Sequence, residues 1–198
     1  MVNVMQISEI KKNKIRYIVE DITKINPDVL YLADSLGSMN KKNILDLYRN
    51  FKKYWNGPMG LHAHDNINNA LKNSLALEKE GIEWIDSTIT GMGRGPGNTK
   101  SEDIVRSFKQ NFEYSNFKNF KNYIDKHFIP LKRKYKWGTN NHYKAAAKFK
   151  IHPSYIQTLL TDKRFKQYDK KFLINNLKKK KTSKFELNKI FLAINDDR

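Results

Sequence analysis

The heptapeptide GLHAHDN places His62 and His64 two residues apart, directly after a short apolar stretch. Side chains at positions i and i+2 of a β-strand point to the same side, so this spacing aims both imidazoles at one point. Neutral imidazole is a common metal ligand, but two imidazoles supply only part of a coordination shell. Carboxylate or amide oxygens from elsewhere would have to complete it. The alternative is a pair of histidines that only packs, because an HxH pattern has little specificity on its own.

A carboxylate follows a second apolar stretch, where Asp34 and Ser35 begin the segment DSLG. The carboxyl ends of parallel strands meet at one rim, so Asp34 is a candidate catalytic group near the histidines. A turn residue or a helix cap is the alternative interpretation of this aspartate.

The segment GMGRGPGN, residues 91–98, contains four glycines and is a poor helix or strand. Such a loop lets backbone N–H groups and a ligand approach each other closely. Arg94 within it could bind a carboxylate in a bidentate manner. Asn98 could cap the next helix or coordinate a metal. The loop lacks the GxGxxG spacing and follows the fourth predicted strand, so it does not indicate a dinucleotide site.

Strands and helices alternate in the first half of the chain, which predicts parallel βαβ units. Four such units would form half of a (β/α)8 barrel, a fold that typically needs about 250 residues. A small open doubly wound sheet is the alternative, but no glycine-rich loop follows the first strand, where that fold would need one. Strands are predicted at 1–7, 28–34, 58–64 and 81–89, and helices at 9–25, 41–55, 66–80 and from Ser101 onward.

Beyond residue 112 the apolar spacing is helical throughout, which predicts two regions, 1–112 and a basic helical region at 113–198. Of the net charge of +18, residues 1–100 carry 14 basic and 11 acidic side chains, and residues 101–198 carry 24 and 9. A lysine-rich face could bind nucleic acid or an anionic membrane. The compositional bias of an AT-rich genome explains the same lysines without a ligand, and we expect neither partner.

The composition is that of a folded protein, with 39% hydrophobic and 12% aromatic residues. The absence of cysteine excludes disulfides and thiolate sites. No run of about 18 apolar residues and no signal-peptide pattern is present, so we expect a cytoplasmic protein.

Three motifs together resemble one family. The segments DSLGSM, GLHAHDN with Asn73-Ser74-Leu75, and WIDSTITGMGRGPGN occur in an order and spacing similar to those of metal-dependent pyruvate aldolases. These are related to 4-hydroxy-2-oxovalerate aldolase, within the wider family of hydroxymethylglutaryl-CoA lyase and isopropylmalate synthase. NVMQIS resembles that family's fifth barrel strand, and WGTNNHYKAAAKFKIHPSYIQTLL resembles its helical C-terminal extension.

The resemblance implies the C-terminal half of a TIM barrel and a lyase that cleaves or forms a 4-hydroxy-2-oxo acid through a pyruvate enolate. His62 and His64 match the two histidine ligands of Mn²⁺ or Mg²⁺, and Asn98 matches a metal ligand of the lyase branch. The implied substrate is a 2-oxo acid, and the residues implied to bind it are Ser35, Gly93 and Arg94. The resemblance also makes Arg94 and Asp34 catalytic candidates.

Some aldolases of this family transfer a proton through a tyrosine of the helical extension, which Tyr155 matches best and Tyr143 second. The family's first-strand aspartate and the neighbouring arginine have no counterpart in this sequence. We therefore expect a partner, either a complementary N-terminal half-barrel or a second copy, and no aldolase activity from the chain alone.

Two other functions stay open. A condensing acyltransferase of the same superfamily would act on a CoA thioester, although the GMGRGPGN loop favours the aldolase. A non-catalytic remnant would use its basic helical region to bind a partner protein or nucleic acid, but no aromatic-rich RNA-binding motif or helix-turn-helix signature supports it.

Overall fold

The computed structural model describes residues 1–108 and 114–196. The predicted boundary between residues 112 and 113 lies outside these ranges. Four parallel strands form one sheet in the order β1-β2-β3-β4, which confirms the predicted βαβ succession. Each strand is shorter than its predicted segment. The strands are β1 (Val2–Val4), β2 (Leu30–Asp34), β3 (Met59–Ala63) and β4 (Trp84–Ile85).

Amphipathic helices follow the strands and cover one face of the sheet. Their apolar side chains pack against the outward residues of the strands, such as Leu30 and Leu32 of β2 and Met59 and Leu61 of β3. Helices on one face only are the arrangement of a barrel wall, whose other face points to the barrel interior. The helices are α1 (Ile15–Ile25), α2 (Lys41–Lys52), α3 (Ala70–Glu78) and α4 (Ser101–Ser107).

Because successive side chains of a strand point to opposite faces of the sheet, the remaining side chains point to the interior face. Tyr31 lies between the two outward leucines of β2, and its register partner on β3 is Gly60. A β-carbon built on Gly60 would lie 2.5 Å from the Tyr31 ring, so only glycine lets this ring lie across the neighbouring strand. His62 follows on the same face of β3.

Helices occupy the second region, as predicted, and four of them enclose a separate core. This core contains Tyr143, Tyr155, Phe165 and Leu173, all buried. The helices are α5 (Tyr114–Tyr123), which continues through one π-helical turn (Ile124–Phe128) into α6 (Ile129–Tyr135), and then α7 (Asn141–Lys148), α8 (Pro153–Thr161), α9 (Lys170–Leu177) and α10 (Asn188–Asn195).

The helical region packs against the carboxyl ends of the strands. After β1, Gln6 Nε2 donates to Ser183 O at 3.0 Å. After β3, Asn66 O accepts from Thr139 Oγ1 at 2.6 Å. These contacts close the rim at which the candidate residues lie. Within the described ranges, no helix has the length and apolar composition that crossing a bilayer requires.

Candidate functional site

His62 and His64 lie next to each other at the carboxyl end of β3. Their ring centroids are 5.3 Å apart, with the rings nearly perpendicular. Strand alternation places both on the interior face, so the convergence predicted from the HxH spacing is present.

A carboxylate from the neighbouring strand holds His62. The Nδ1 atom of His62 lies 2.9 Å from Asp86 Oδ2. Ile85 pairs with Leu61 in the parallel register, and one residue further along each strand brings Asp86 beside His62. In the neutral imidazole the shared proton stays on Nδ1, which leaves the Nε2 lone pair for a metal ion. Sequence reasoning missed Asp86, although its position after the apolar stretch GIEWI was the signal used for Asp34.

His64 has a buried ring nitrogen without a partner. No described residue lies within hydrogen-bond distance of its Nδ1 atom. Burial lowers the pKa of His64 to about 4, and the charges of His62, Arg94 and His152 act in the same direction. The ring is therefore neutral at physiological pH, which is the form that binds metals.

The two imidazoles fit a divalent ion, but they do not complete a site by themselves. Within the described part of the chain, no group of three His, Cys, Asp or Glu side chains could hold a metal. Asn98 is adjacent, because its backbone forms an isolated antiparallel bridge with His64. Its Nδ2 donates to Met92 O at 3.3 Å. The backbone of Asn98 therefore lies beside His64, and its role as a metal ligand stays a prediction.

The glycine-rich loop needs its glycines for two reasons. Gly95 and Gly97 have φ angles of +67° and +82°, in the left-handed region that β-carbons disfavour. At Gly93, a β-carbon would lie 2.6 Å from Asn98 Nδ2, so the loop folds tightly over that side chain. The loop therefore packs closely on Asn98, and the approach of a ligand to it stays a prediction.

Lys132 and Trp137 anchor the start of the same loop from the helical region. Both donate to Thr90 O, Lys132 Nζ at 3.0 Å and Trp137 Nε1 at 3.2 Å. Thr90 has a φ of +54°, a conformation that a β-branched residue rarely adopts. The two donors stabilise this strained turn, and thereby the loop that follows it.

Tyr143 of the helical region packs against the loop at Gly95, the residue after Arg94. A β-carbon on Gly95 would lie 3.1 Å from Tyr143 Oη, and Gly138 N donates to Gly95 O at 3.1 Å. Burial raises the pKa of Tyr143 to about 12, opposed by the Arg94 charge. Burial also lowers the pKa of His152, and the Arg94 charge adds to that effect. Sequence reasoning did not single out His152, which caps α8 by accepting from Ser154 N at 3.2 Å.

Asp34 lies on the opposite face of the sheet from the histidines. In the register, Asp34 pairs with Ala63, and Ala33 pairs with His62. The buried carboxylate accepts from Ser38 N at 3.3 Å and Met39 N at 3.1 Å. Burial raises its pKa to about 6, against the effect of these donors. The geometry therefore favours the turn-residue interpretation of Asp34 over the catalytic one.

Ser35 and Tyr155 are both engaged in structural contacts. Ser35 Oγ accepts from Gln6 N at 3.0 Å and so joins the ends of β1 and β2. The Oη atom of the fully buried Tyr155 donates to Lys184 O and accepts from Glu186 N, both at 3.0 Å. This hydroxyl is used within the helical core, so the geometry gives no support to the proton-transfer role predicted for Tyr155.

Comparison with known families agrees with this fold. The model of the HMGL-like family matches residues 1–123, which is more than half of the chain. The chain therefore belongs to the HMGL-like family.

Its curated relatives include 4-hydroxy-2-oxovalerate aldolases. That of Geobacillus genomosp. 3 is 41% identical over 78 residues, covering 39% of this chain and 23% of the relative. That of Pelotomaculum thermopropionicum is 34% identical over 99 residues, covering 50% and 29%. The chain thus matches less than a third of the length of these relatives.

Solved structures share the fold. The N-terminal domain of a putative aldolase from Bacteroides vulgatus matches with a TM-score of 0.67 and 32% identity, over 82% of this chain and 54% of that one. The carboxyl transferase domain of Rhizobium etli pyruvate carboxylase matches with a TM-score of 0.69 and 10% identity, over 89% and 32%. At 10% identity the second likeness concerns the fold alone.

Proposed function

We propose that this chain forms the C-terminal half of the barrel of a metal-dependent aldolase, a carbon–carbon lyase that acts on a 4-hydroxy-2-oxo acid. The observation that carries the proposal is the His62–His64 pair, with Asp86 bound to one ring and the other ring buried and neutral. A carboxylate behind a ligating histidine is the usual support of a catalytic metal. Similarity to 4-hydroxy-2-oxovalerate aldolases supports the choice of substrate class.

In this proposal His62, His64 and Asn98 hold Mn²⁺ or Mg²⁺. When bound, the ion supplies Lewis-acid polarisation of the keto group of the substrate. Asp86 keeps the proton of His62 on Nδ1, and the low pKa of His64 prevents a proton from competing for that ring. Arg94 offers a cation to the substrate, and Gly93 lets the loop pack closely on Asn98.

The cleavage redistributes one proton and one electron pair. The 4-hydroxyl group gives its proton to a general base as the C3–C4 bond breaks, which releases an aldehyde. The electron pair of that bond forms the enolate of pyruvate, which then takes up a proton at C3. The carboxylate of the 2-oxo acid keeps its charge throughout, so a fixed cation such as Arg94 can orient it without taking part in proton transfer.

The proposed site needs a partner that completes it. In the described sheet β1 and β4 are the edge strands, each paired on one side only. The apolar side chains of Met5 and Trp84 beside these edges are 60% and 53% exposed. A closed barrel has no such edges. We therefore propose that a complementary half-barrel pairs here and adds the missing aspartate and arginine. A second copy of this chain is the alternative partner; it would cover the strand edges without supplying those two residues.

Metal binding by the purified chain tests the proposal without requiring turnover, which we do not expect from this chain alone. Mn²⁺ would be titrated up to millimolar concentration into the wild type and the variants His62→Ala, His64→Ala and Asp86→Asn, by calorimetry and by the paramagnetic resonance of free Mn²⁺. We expect each alanine variant to bind at least tenfold more weakly, and Asp86→Asn about 10–100-fold more weakly.

The matched control is His127→Ala, which removes an exposed imidazole from the π-helical turn far along the chain. It should bind Mn²⁺ as the wild type does. Equal affinity of the wild type and both alanine variants would refute the ligand assignment.

A further inference from the structure

Tyr31 extends from β2 across the interior face of the sheet, toward the residues of the candidate metal site. The register pairs Tyr31 with Gly60 of β3, and Gly60 with Trp84 of β4. A β-carbon built on Gly60 would lie 2.5 Å from Cε1 and 2.6 Å from Cζ of the Tyr31 ring. The end of the ring that carries the hydroxyl therefore lies over β3, one strand away from the backbone of Tyr31.

Asp86 lies on the side to which this ring extends. Asp86 N donates to Leu61 O at 2.9 Å, which continues the parallel pairing of β3 and β4 by one residue. Side chains two residues apart on a strand share a face, so Asp86 follows Trp84 on the interior face as His62 follows Gly60. The Asp86 carboxylate is held over the gap between the two strands, because its Oδ2 atom lies 2.9 Å from His62 Nδ1.

The electrostatics of the two groups agree with this placement. Burial raises the pKa of the Tyr31 phenol, and the charge of Asp86 and hydrogen bonding to it raise that pKa further. A phenol that keeps its proton beside a carboxylate is the donor, and the carboxylate is the acceptor. The contact with His62 uses only one of the two carboxylate oxygens, and each of them can accept.

We infer that Tyr31 is a positioning residue whose hydroxyl donates to Asp86 and so fixes the carboxylate that holds Nδ1 of His62. The inference rests on the proposed function for the role of His62 as a metal ligand. The order from the metal outward is then His62, Asp86 and Tyr31. Groups behind a ligating histidine set the orientation and the basicity of its ring.

The inference also accounts for a glycine in the middle of β3. Glycine inside a strand weakens it and marks a place where another group approaches closely. At Gly60 that group is the Tyr31 ring, for which any side chain at position 60 would leave too little room. The glycine is therefore part of the arrangement, because it lets the phenol cross β3 and reach the gap beside β4.

The His62 ring of the metal-free chain tests the inference without any ligand. Long-range ¹H–¹⁵N spectra report which ring nitrogen carries the proton, with the His62 signals assigned through His62→Gln. In the wild type we expect the proton on Nδ1, protected from exchange with water. Tyr31→Phe should leave the protein folded in a urea titration, yet shift the His62 signals and speed the exchange of this proton, because Asp86 is then held less firmly.

Two further variants show whether Tyr31 acts through Asp86. In the Asp86→Asn background, Tyr31→Phe should cause no further change in the His62 signals, since the carboxylate through which it acts is gone. The matched control is Tyr48→Phe, which also removes the hydroxyl of a buried tyrosine. Tyr48 packs on the helix side of the sheet, where its Oη donates to Glu80 O at 3.5 Å, so its removal should leave the His62 signals unchanged.

Mn²⁺ titration then connects the arrangement to the metal. Tyr31→Phe should weaken Mn²⁺ binding about three- to tenfold, less than the loss of Asp86 itself, and Tyr48→Phe should not weaken it. The inference would be overturned by His62 signals or Mn²⁺ affinity that Tyr31→Phe leaves unchanged, or by an equal change of these signals in the Asp86→Asn background. No Mn²⁺ binding by the wild type, with the His62 signals still altered by Tyr31→Phe alone, would refute the metal proposal and support the positioning of His62.

Discussion

The helical core and the carboxyl ends of the strands differ in how their buried polar groups are satisfied. In the helical core, the Tyr155 hydroxyl has two backbone partners and Asn176 Nδ2 donates to Ala193 O at 2.9 Å. At the strand ends, His64 Nδ1 and both side-chain polar atoms of the fully buried Asn66 have no described partner. The Tyr143 hydroxyl lies near Gly95 of the loop and forms no hydrogen bond with a described residue, but it is not among these fully buried atoms.

The difference separates structural from functional polar groups. A buried donor or acceptor without a partner costs about 1–3 kcal/mol, so a fold retains it only where something compensates. A bound ion or substrate is such a compensation. The two tyrosines that match the family's helical extension thus differ in their surroundings, because one hydroxyl is satisfied by the backbone and the other faces the candidate site.

The largest expected effect is on the free energy of unfolding, through the pH dependence that His64 gives it. The folded state keeps His64 neutral down to about pH 4, whereas an unperturbed histidine binds a proton near 6.5. The unfolded state binds more protons between these values, so His64 makes the free energy of unfolding fall as the pH drops. Its contribution should be roughly 2–3 kcal/mol between pH 6.5 and 4.

Urea unfolding of the metal-free wild type and His64→Gln at several pH values measures this slope. The difference between the two proteins isolates His64, because other groups titrate in both. An unchanged slope in the variant would mean that the pKa of His64 is the same in the folded and unfolded states, so that burial does not lower it, and it would remove the contrast with the helical core.

The next effect separates the two tyrosines. Tyr155→Phe removes two hydrogen bonds and leaves Lys184 O and Glu186 N without a partner, which should lower the free energy of unfolding by about 2 kcal/mol. Tyr143→Phe removes no described hydrogen bond and should change it by less than about 0.5 kcal/mol. Each substitution deletes one hydroxyl from the same helical core, so each variant is the control of the other. Equal losses would contradict the distinction between the two groups.

The smallest effect concerns Asp34, a buried polar group of the strand region that is already satisfied. Asp34→Asn keeps one acceptor for Ser38 N or Met39 N and faces the other with an NH₂ group, which should cost about 1 kcal/mol. Mn²⁺ affinity should stay at the wild-type value, since the residue lies on the helix side of the sheet. A loss of Mn²⁺ affinity without a loss of stability would show that Asp34 belongs to the candidate site after all.

Local patterns in the sequence predicted the strands, the helices that follow them and the convergence of His62 and His64. These features depend on hydrophobic periodicity and on the two-residue repeat of a strand, which are properties of neighbouring residues. The same two-residue repeat, continued from Leu30 and Leu32, places Asp34 on the helix side of the sheet, so this placement was also predictable from the sequence.

Other features depended on contacts between segments far apart in the chain. The Asp86–His62 hydrogen bond joins residues 24 positions apart, and only the parallel pairing of β3 and β4 brings them together. The choice between Tyr143 and Tyr155 follows from the docking of α7 against Gly95 and of the segment at 184–186 over Tyr155.

The sequence by itself determined which residues could do chemistry and on which strand end they lie, because those properties repeat along a local backbone. The tertiary structure decided which of them lie together at the carboxyl ends of the strands and which are used in structural hydrogen bonds. The reason is that burial and hydrogen bonding depend on how the helical region packs across those ends.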